Sequence, residues 1–312
     1  MKRVVVAALG LAAALSAHAA APALRIGLMP AMNSAPLVVA ERAGFFAREG
    51  VTVELELFTS QLNRETALQA GRIDGTVSDL INAIQAWSRG FPLRVTSASQ
   101  GVFSLLAAPA AGPATLAAWK SAGRRVTTGL LENSTVYYAA ERALERGGID
   151  PGTIDLVPVV QVPARLELLL AGKVEAAVLP EPLATLAVLR GARRLADSAA
   201  DDAASGVLLF RNQVLLERAA AVRAFYRAYD LAVQELTARP AAWRAAVVEA
   251  CQFPRETGTA LSFPRYLPAY LPGEADVRDV AAWMIGHGLI ARAPGWTDIV
   301  ISGFTATDAR RP

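Results

Sequence analysis

Residues 33–43 read NSAPLVVAERA, and residues 133–143 read NSTVYYAAERA. Six of the eleven positions are identical at an offset of 100. The surroundings recur in the same order. A short apolar strand, LRIGLM at 24–29, precedes the first phrase and RRVTTG at 124–129, which also reads as a strand, precedes the second; glycine ends each following helix at Gly50 and Gly147-Gly148. Alternating stretches come next, VTVELELF at 51–58 and TIDLVPVV at 153–160, and period-two alternation predicts β-structure. A second phrase then repeats: AGRIDGTV at 70–77 and AGKVEAAV at 171–178, with Arg72 matching Lys173 and Asp74 matching Glu175. Two phrases in one order at nearly one offset point to duplicated architecture. Each copy, about 100 residues long, is near typical domain size. Strand–helix alternation within each copy predicts an α/β fold, two similar lobes with mainly parallel, helix-covered sheets.

Punctuation sets the expected boundaries. Residues 1–19 read as a signal peptide: Met1-Lys2-Arg3, the apolar run VVVAALGLAAAL at 4–15, then Ser16-Ala17-His18-Ala19 as an A-x-A cleavage site. Twelve apolar residues are too few to span a bilayer core of ~30 Å as a helix. Residues 20–108 form the first part of lobe 1, and Pro109, Gly112 and Pro113 mark a crossover. Residues 109–205 form lobe 2, ending near Ala203-Ala204-Ser205-Gly206, and 206–312 return to lobe 1, with GVLLF as a strand. Helices are expected over 217–238, 241–251 and 275–287, and the proline-rich SFPRYLPAYLP at 262–272 is expected to lie irregularly over a cleft.

Composition excludes several classes. Without Lys2 and Arg3 the chain carries 29 basic against 28 acidic residues, scattered, which gives no footprint for nucleic acid. After the cleavage site only Cys251 and His287 remain of their types. One cysteine makes no intramolecular disulfide and gives no lipid anchor at the mature N-terminus. It reads as a small buried hydrophobe. A lone histidine builds no His/Cys zinc cluster and reads as an ordinary surface or core residue. No G-x-S-x-G elbow, phosphate loop or G-x-G-x-x-G occurs. The expectation is a binding protein with no catalytic residue, metal or cofactor.

Polar residues do gather after the expected strands. Ligands of open α/β sheets bind beyond the carboxyl ends of strands, where helix N-termini offer N–H groups. The candidates are Met32, Asn33, Ser34, Ser78, Asp79, Ser99 and Gln100 in the first copy, and Asn133, Ser134, Thr135, Gln161 and Glu181 in the second. Tyr137 stands where it would stack on a ring. Asn and Ser before a helix serve equally as caps, so helix capping stays open beside ligand binding.

RIGLMPAMNSAPLVVAERAGFFAREGVTVELELF, LQAGRIDGTVSD and LLLAGKVEAAVLPEPLATLA resemble the periplasmic substrate-binding proteins of ABC importers for nitrate, sulfonates, taurine and thiamine precursors. The resemblance covers roughly residues 24–300 and implies a type II periplasmic binding protein fold, with a ligand cleft between the lobes. It also implies a monomer in the periplasm that closes by a hinge and delivers a small molecule to a permease with its ATPase. Glu181 in the cleft would favour a neutral or cationic, NH-bearing ligand such as an aminopyrimidine-like thiamine precursor over sulfonate, taurine or nitrate. A ligand sensor, or an enzyme resembling the thiamine pyrimidine synthases, remains an alternative. That enzyme class relies on histidine and a cysteine-rich motif that this chain lacks.

Overall fold

The computed structural model describes residues 22–198 and 206–306, so the expected signal peptide and Ala203-Ala204-Ser205 lie outside the described residues. Ten strands form two five-stranded sheets. They are β1 (Leu24–Leu28), β2 (Val53–Leu57), β3 (Gly75–Ser78), β4 (Leu93–Ala98), β5 (Phe103–Ala107), β6 (Val126–Leu130), β7 (Ile154–Pro158), β8 (Ala176–Pro180), β9 (Arg193–Asp197) and β10 (Val207–Arg211). The orders are β2-β1-β3-β10-β4 and β7-β6-β8-β5-β9.

The duplication extends to register. β1 runs parallel to β2 from Leu24↔Val53 to Leu28↔Leu57, as β6 does to β7 from Val126↔Ile154 to Leu130↔Pro158. In each sheet one antiparallel strand, β10 or β5, separates the third strand from the far edge. Both antiparallel strands also carry a register shift, at Leu208/Leu209 and Leu105/Leu106. Each sheet is therefore mixed, with four strands running one way and one against them, rather than uniformly parallel. β1 is covered on both faces and is correspondingly apolar apart from Arg25. β2 lies at an edge and alternates, with Glu54 and Glu56 exposed, and such charge discourages edge-to-edge pairing.

The expected crossover at Pro109–Pro113 is corrected. β4 belongs to the first sheet and β5 to the second, so the chain crosses between Ala98 and Phe103. Leu105 and Leu106 are buried in second-lobe clusters, which places residues 103–108 in lobe 2. Gly112 is needed for close approach inside that lobe: a Cβ there would stand 2.1 Å from the Glu175 carbonyl oxygen. The return crossing ends at Gly206, where the Ser99 amide donates to the Gly206 carbonyl at 2.9 Å and ties the two crossings together.

Helices cover both sheets. Helix Thr135–Arg146 buries Val136, Ala139, Ala140, Ala143 and Leu144, the three–four spacing of an amphipathic helix. Helix Ala219–Ala238 buries Phe225, Tyr226 and Tyr229 in the cluster that also holds Leu24, Leu37 and Val38 of the first lobe. Helix Glu274–Gly286 shares a cluster with Leu80 and Ile84 of helix Leu80–Ser88. The C-terminal third therefore returns to lobe 1. Residues 262–272 are irregular but fasten to the first lobe: the Tyr266 hydroxyl donates to the Met32 carbonyl (2.7 Å), and the Leu267 amide to Gln100 Oε1 (3.0 Å). None of them lines the cavity between the lobes. Among the described residues no helix is long and apolar enough to cross a membrane.

Candidate functional site

A cavity of about 590 Å³ lies between the lobes, at the carboxyl ends of β1, β2 and β3 on one side and β6, β7 and β8 on the other. The first wall comprises Met29–Ala31 after β1, Thr59–Gln61 after β2 and Asp79 after β3, together with faces of two helices. Gln61, Glu65 and Gln69 present one face of helix Gln61–Gln69 at four-residue steps. Asn82 and Gln85 do the same for helix Leu80–Ser88. The two helices are joined by Gln61 Nε2 donating to Asn82 Oδ1 at 2.9 Å. The second wall holds Leu131, Ser134 and Thr135, then Val160–Pro163 and Arg165, then Pro180 and Leu183, with Phe103 at the base. A wider concavity of about 720 Å³ runs along helix Pro240–Ala250 and involves no strand end.

Asp79 shapes the first wall. It N-caps helix Leu80–Ser88, its Oδ1 accepting from the Asn82 amide (2.9 Å) and its Oδ2 from Asn82 Nδ2 (2.7 Å). Burial pushes its carboxyl above the usual range, against the opposing pull of the Asn82 amide and of Arg64. Beside it Arg64 Nη2 donates to Glu65 Oε1 (2.6 Å) and to Ser78 Oγ (3.1 Å). The first wall thus sets Asp79 and Glu65 beside the buried Arg64 guanidinium, and Arg89, at the end of helix Leu80–Ser88, lines the cavity as well.

Arg165 occupies the matching place in the second lobe. Its aliphatic stem crosses Gly129, as that of Arg64 crosses Gly27; a Cβ on either glycine would meet the arginine Cγ at 3.4 or 3.3 Å. Its head donates to the Val178 (2.9 Å) and Val159 (3.0 Å) carbonyls, tying the ends of β8 and β7. Among the described residues no carboxylate pairs with it. Burial alone pulls it down to about 10, and its Nε finds no acceptor. Both carboxylates that line the cavity, Asp79 and Glu65, therefore belong to the first wall, whereas the charged side chain of the second is Arg165.

Of the residues expected at the site, Asp79, Ser134, Thr135 and Gln161 line the cavity; the others do not. Met32 is buried beneath Tyr266. Ser34 Oγ donates back to the Met29 carbonyl (2.8 Å), and Ser134 Oγ to that of Leu131, so both serines staple the loop after the first strand of their lobe. The Asn-Ser pairs are not conformational equivalents. Six residues separate β1 from its helix but four separate β6 from its own. Asn133 consequently adopts φ 59°, the left-handed region that asparagine tolerates. Asn33 instead lies in a 3₁₀ turn against Gly206 and Ser99 at the crossings. Ser78 is held under Arg64, and both ends of the Gln100 amide are taken, by Tyr270 and Leu267. Tyr137 sets its edge against Trp283 and His287 rather than into the cavity.

Glu181 corrects the electrostatic expectation. Its Oε1 accepts from Arg194 Nη2 at 2.8 Å and its Oε2 from the Thr185 amide at 3.0 Å. It holds the first turn of helix Leu183–Leu189 and is paired outside the cavity, so it says nothing of ligand charge. The polar side chains that the sequence reading missed are Gln61 and Asn82 in the first turns of their helices and Glu65 and Gln85 one turn further on. Their spacing of four and three residues was the available signal.

The family model of the NMT1-like family matches residues 17–252. No curated protein sequence matches the chain. Among solved structures, the ligand-binding component of an ABC-type import system from Staphylococcus aureus, with zinc bound, is similar with a TM-score of 0.79 at 17% identity, covering 93% of this chain and 100% of that one. The alkanesulfonate-binding protein SsuA from Xanthomonas axonopodis pv. citri, bound to MOPS, gives 0.74 at 19%, covering 91% and 100%. The nitrate-binding protein NrtA from Synechocystis PCC 6803 gives 0.67 at 15%, covering 86% and 82%. Two lobes, matched sheets and a family match over most of its length lead to one conclusion: the chain belongs to the NMT1-like family and has the fold of the periplasmic binding proteins of ABC importers.

Proposed function

We propose that this protein is the extracytoplasmic solute-binding component of an ABC importer, a monomer that closes on a small organic molecule and presents it to a permease with its ATPase. The observation that carries the reading is the cavity itself, walled by strand ends of both lobes. A ligand touching both walls stabilises the closed arrangement in proportion to its differential affinity for it.

The placement of both lining carboxylates on lobe 1 narrows the class. Asp79 and Glu65 supply acceptors on lobe 1, and Thr135 and Gln161 supply donors on lobe 2 beside Arg165, whose Nη atoms already donate to the Val178 and Val159 carbonyls. The matching ligand carries an amino or N–H end toward lobe 1 and an acceptor or anionic end toward lobe 2. An aminopyrimidine and an aminosulfonate share that chemistry. The cavity has about twenty times the ~30 Å³ that one water occupies in the liquid, so a four-atom anion such as nitrate would leave most of it unfilled.

A thermal-shift panel of aminopyrimidines, aminosulfonates, plain alkanesulfonates and nitrate tests this. Ligand at 100 times its dissociation constant adds ~2.7 kcal/mol, a rise of roughly 5 °C or more at ~2–4 °C per kcal/mol. The expected result is a shift with one of the amino-bearing classes. A shift with nitrate alone would overturn the ligand class, and no shift with any small organic solute would count against the binding role.

A further inference from the structure

His287 is the single histidine among the described residues, and it stands at a contact between the lobes. Helix Glu274–Gly286, which it ends, packs on the first lobe, whereas helix Thr135–Arg146 packs on the strands of the second. Across this junction the buried Glu141 meets two donors. Its Oε2 accepts from the Trp283 indole N–H, and its Oε1 lies 3.3 Å from His287 Nε2. His287 Nδ1 lies 2.9 Å from the Trp283 carbonyl oxygen. Tyr138 reaches across into the first-lobe cluster, edge-on to Trp283.

The proton count follows from the partners. A carbonyl only accepts, so the contact with the Trp283 oxygen requires hydrogen on Nδ1. The Glu141 carboxylate already accepts from an indole, and facing it as a donor requires hydrogen on Nε2. A neutral imidazole has one such hydrogen and an imidazolium has two. The neutral ring with hydrogen on Nδ1 would turn the Nε2 lone pair toward a carboxylate oxygen.

We propose that Glu141 and His287 form a proton-operated latch between the lobes, fastened by the imidazolium and loosened by the neutral ring. Besides Glu141, the second-lobe helix turns the Tyr137 phenol edge toward the imidazole. That phenol is itself hydrogen-bonded to Glu141 and lies in the field of Glu132 and Arg125, and Arg142 lies over Tyr138. On the first-lobe side Arg278 pairs with Asp279, and Arg292 lies over Trp87. Of these charged and titratable groups, Glu141 is the one within hydrogen-bond reach of His287. Fastening the latch takes up one proton, so lobe contact is favoured at low pH and weakens as pH rises. A second junction, Arg190 with Glu256 at 3.1 Å, contains no imidazole and serves as the control.

The latch requires that the lobes move relative to one another, and it is tested on ligand-free, full-length protein, apart from any question of ligand identity. Small-angle scattering at pH 5.5 and 8.0 reads compactness. Nitrogen-15 histidine spectra read the tautomer, with His287 assigned by its loss in His287→Gln. Wild type is expected to be more compact at pH 5.5, with the difference lost in His287→Gln and Glu141→Gln and retained in Arg190→Gln. At high pH the His287 ring is expected as its Nδ1–H tautomer. Equal compactness of wild type at both pH values, or a difference that survives His287→Gln, overturns the latch. An Nε2–H tautomer at high pH also overturns it. Should Glu141→Gln fail to fold by circular dichroism, His287→Gln and the tautomer decide.

Discussion

Replacing Asp79 separates its two roles, cap and ligand acceptor. Its carboxylate receives the Asn82 amide and the Asn82 side-chain amide, and Asn82 Oδ1 is already committed to Gln61. Asp79→Ala removes the cap, about 1 kcal/mol, and strands a second donor, about 1 kcal/mol more. The fall in Tm is then about 4–8 °C, at ~2–4 °C per kcal/mol. Asp79→Asn keeps the amide acceptor but sets one NH₂ against another, and Asn82 cannot flip without losing Gln61. Its expected cost is about one hydrogen bond, ~1 kcal/mol. Burial raises the Asp79 pKa, so the native state holds its proton more tightly than the unfolded chain does. That contribution is present in full below the unfolded carboxylate range and fades as pH rises through the folded value. The Asp79→Ala deficit is therefore larger at pH 4.5 than at pH 7.0. For an amino-bearing ligand, either substitution removes a charge-assisted bond of ~1.5–3 kcal/mol, weakening binding about ten-fold or more. Calorimetric unfolding at the two pH values and titration with the panel's best ligand measure both effects. Unchanged Tm would refute the cap. Unchanged affinity in both variants would refute the placement of the ligand.

Other consequences are quicker to check. Glu181→Gln breaks the Arg194 pair and is expected to lower stability by about 1 kcal/mol while leaving ligand affinity unaltered, read by denaturation and calorimetric titration. Asn133→Gly suits φ 59° and should be close to neutral, whereas Asn133→Ala should cost about 1 kcal/mol or more in a urea titration. Gly112→Ala forces a Cβ to 2.1 Å from a backbone oxygen, and soluble yield or Tm should fall sharply.

The repeated phrases revealed the two lobes because buried strands and amphipathic helices write their pattern locally. β1 is apolar for that reason, and so are the buried faces of helices Ala35–Arg42 and Thr135–Arg146, while β6 matches β1 by position more than by composition. The crossover was misplaced because the cluster Pro109–Pro113 punctuates a loop whose partner, Glu175, is distant in sequence. Glu181 was misread for the same reason: Arg194 reaches it from the far edge strand, and nothing beside Glu181 announces that pairing. Helix starts drew attention to Asp79, Thr135 and Gln161. The helix interior carrying Glu65 and Gln69 shows its direction only once the two lobes face each other.

The most direct test is a crystal structure with the solute that gives the largest thermal shift. The expected result is that solute between the lobes, its N–H groups on Asp79 or Glu65 and its acceptor end toward Thr135, Gln161 and Arg165. A solute held by one lobe alone, or outside the cavity, would contradict the account.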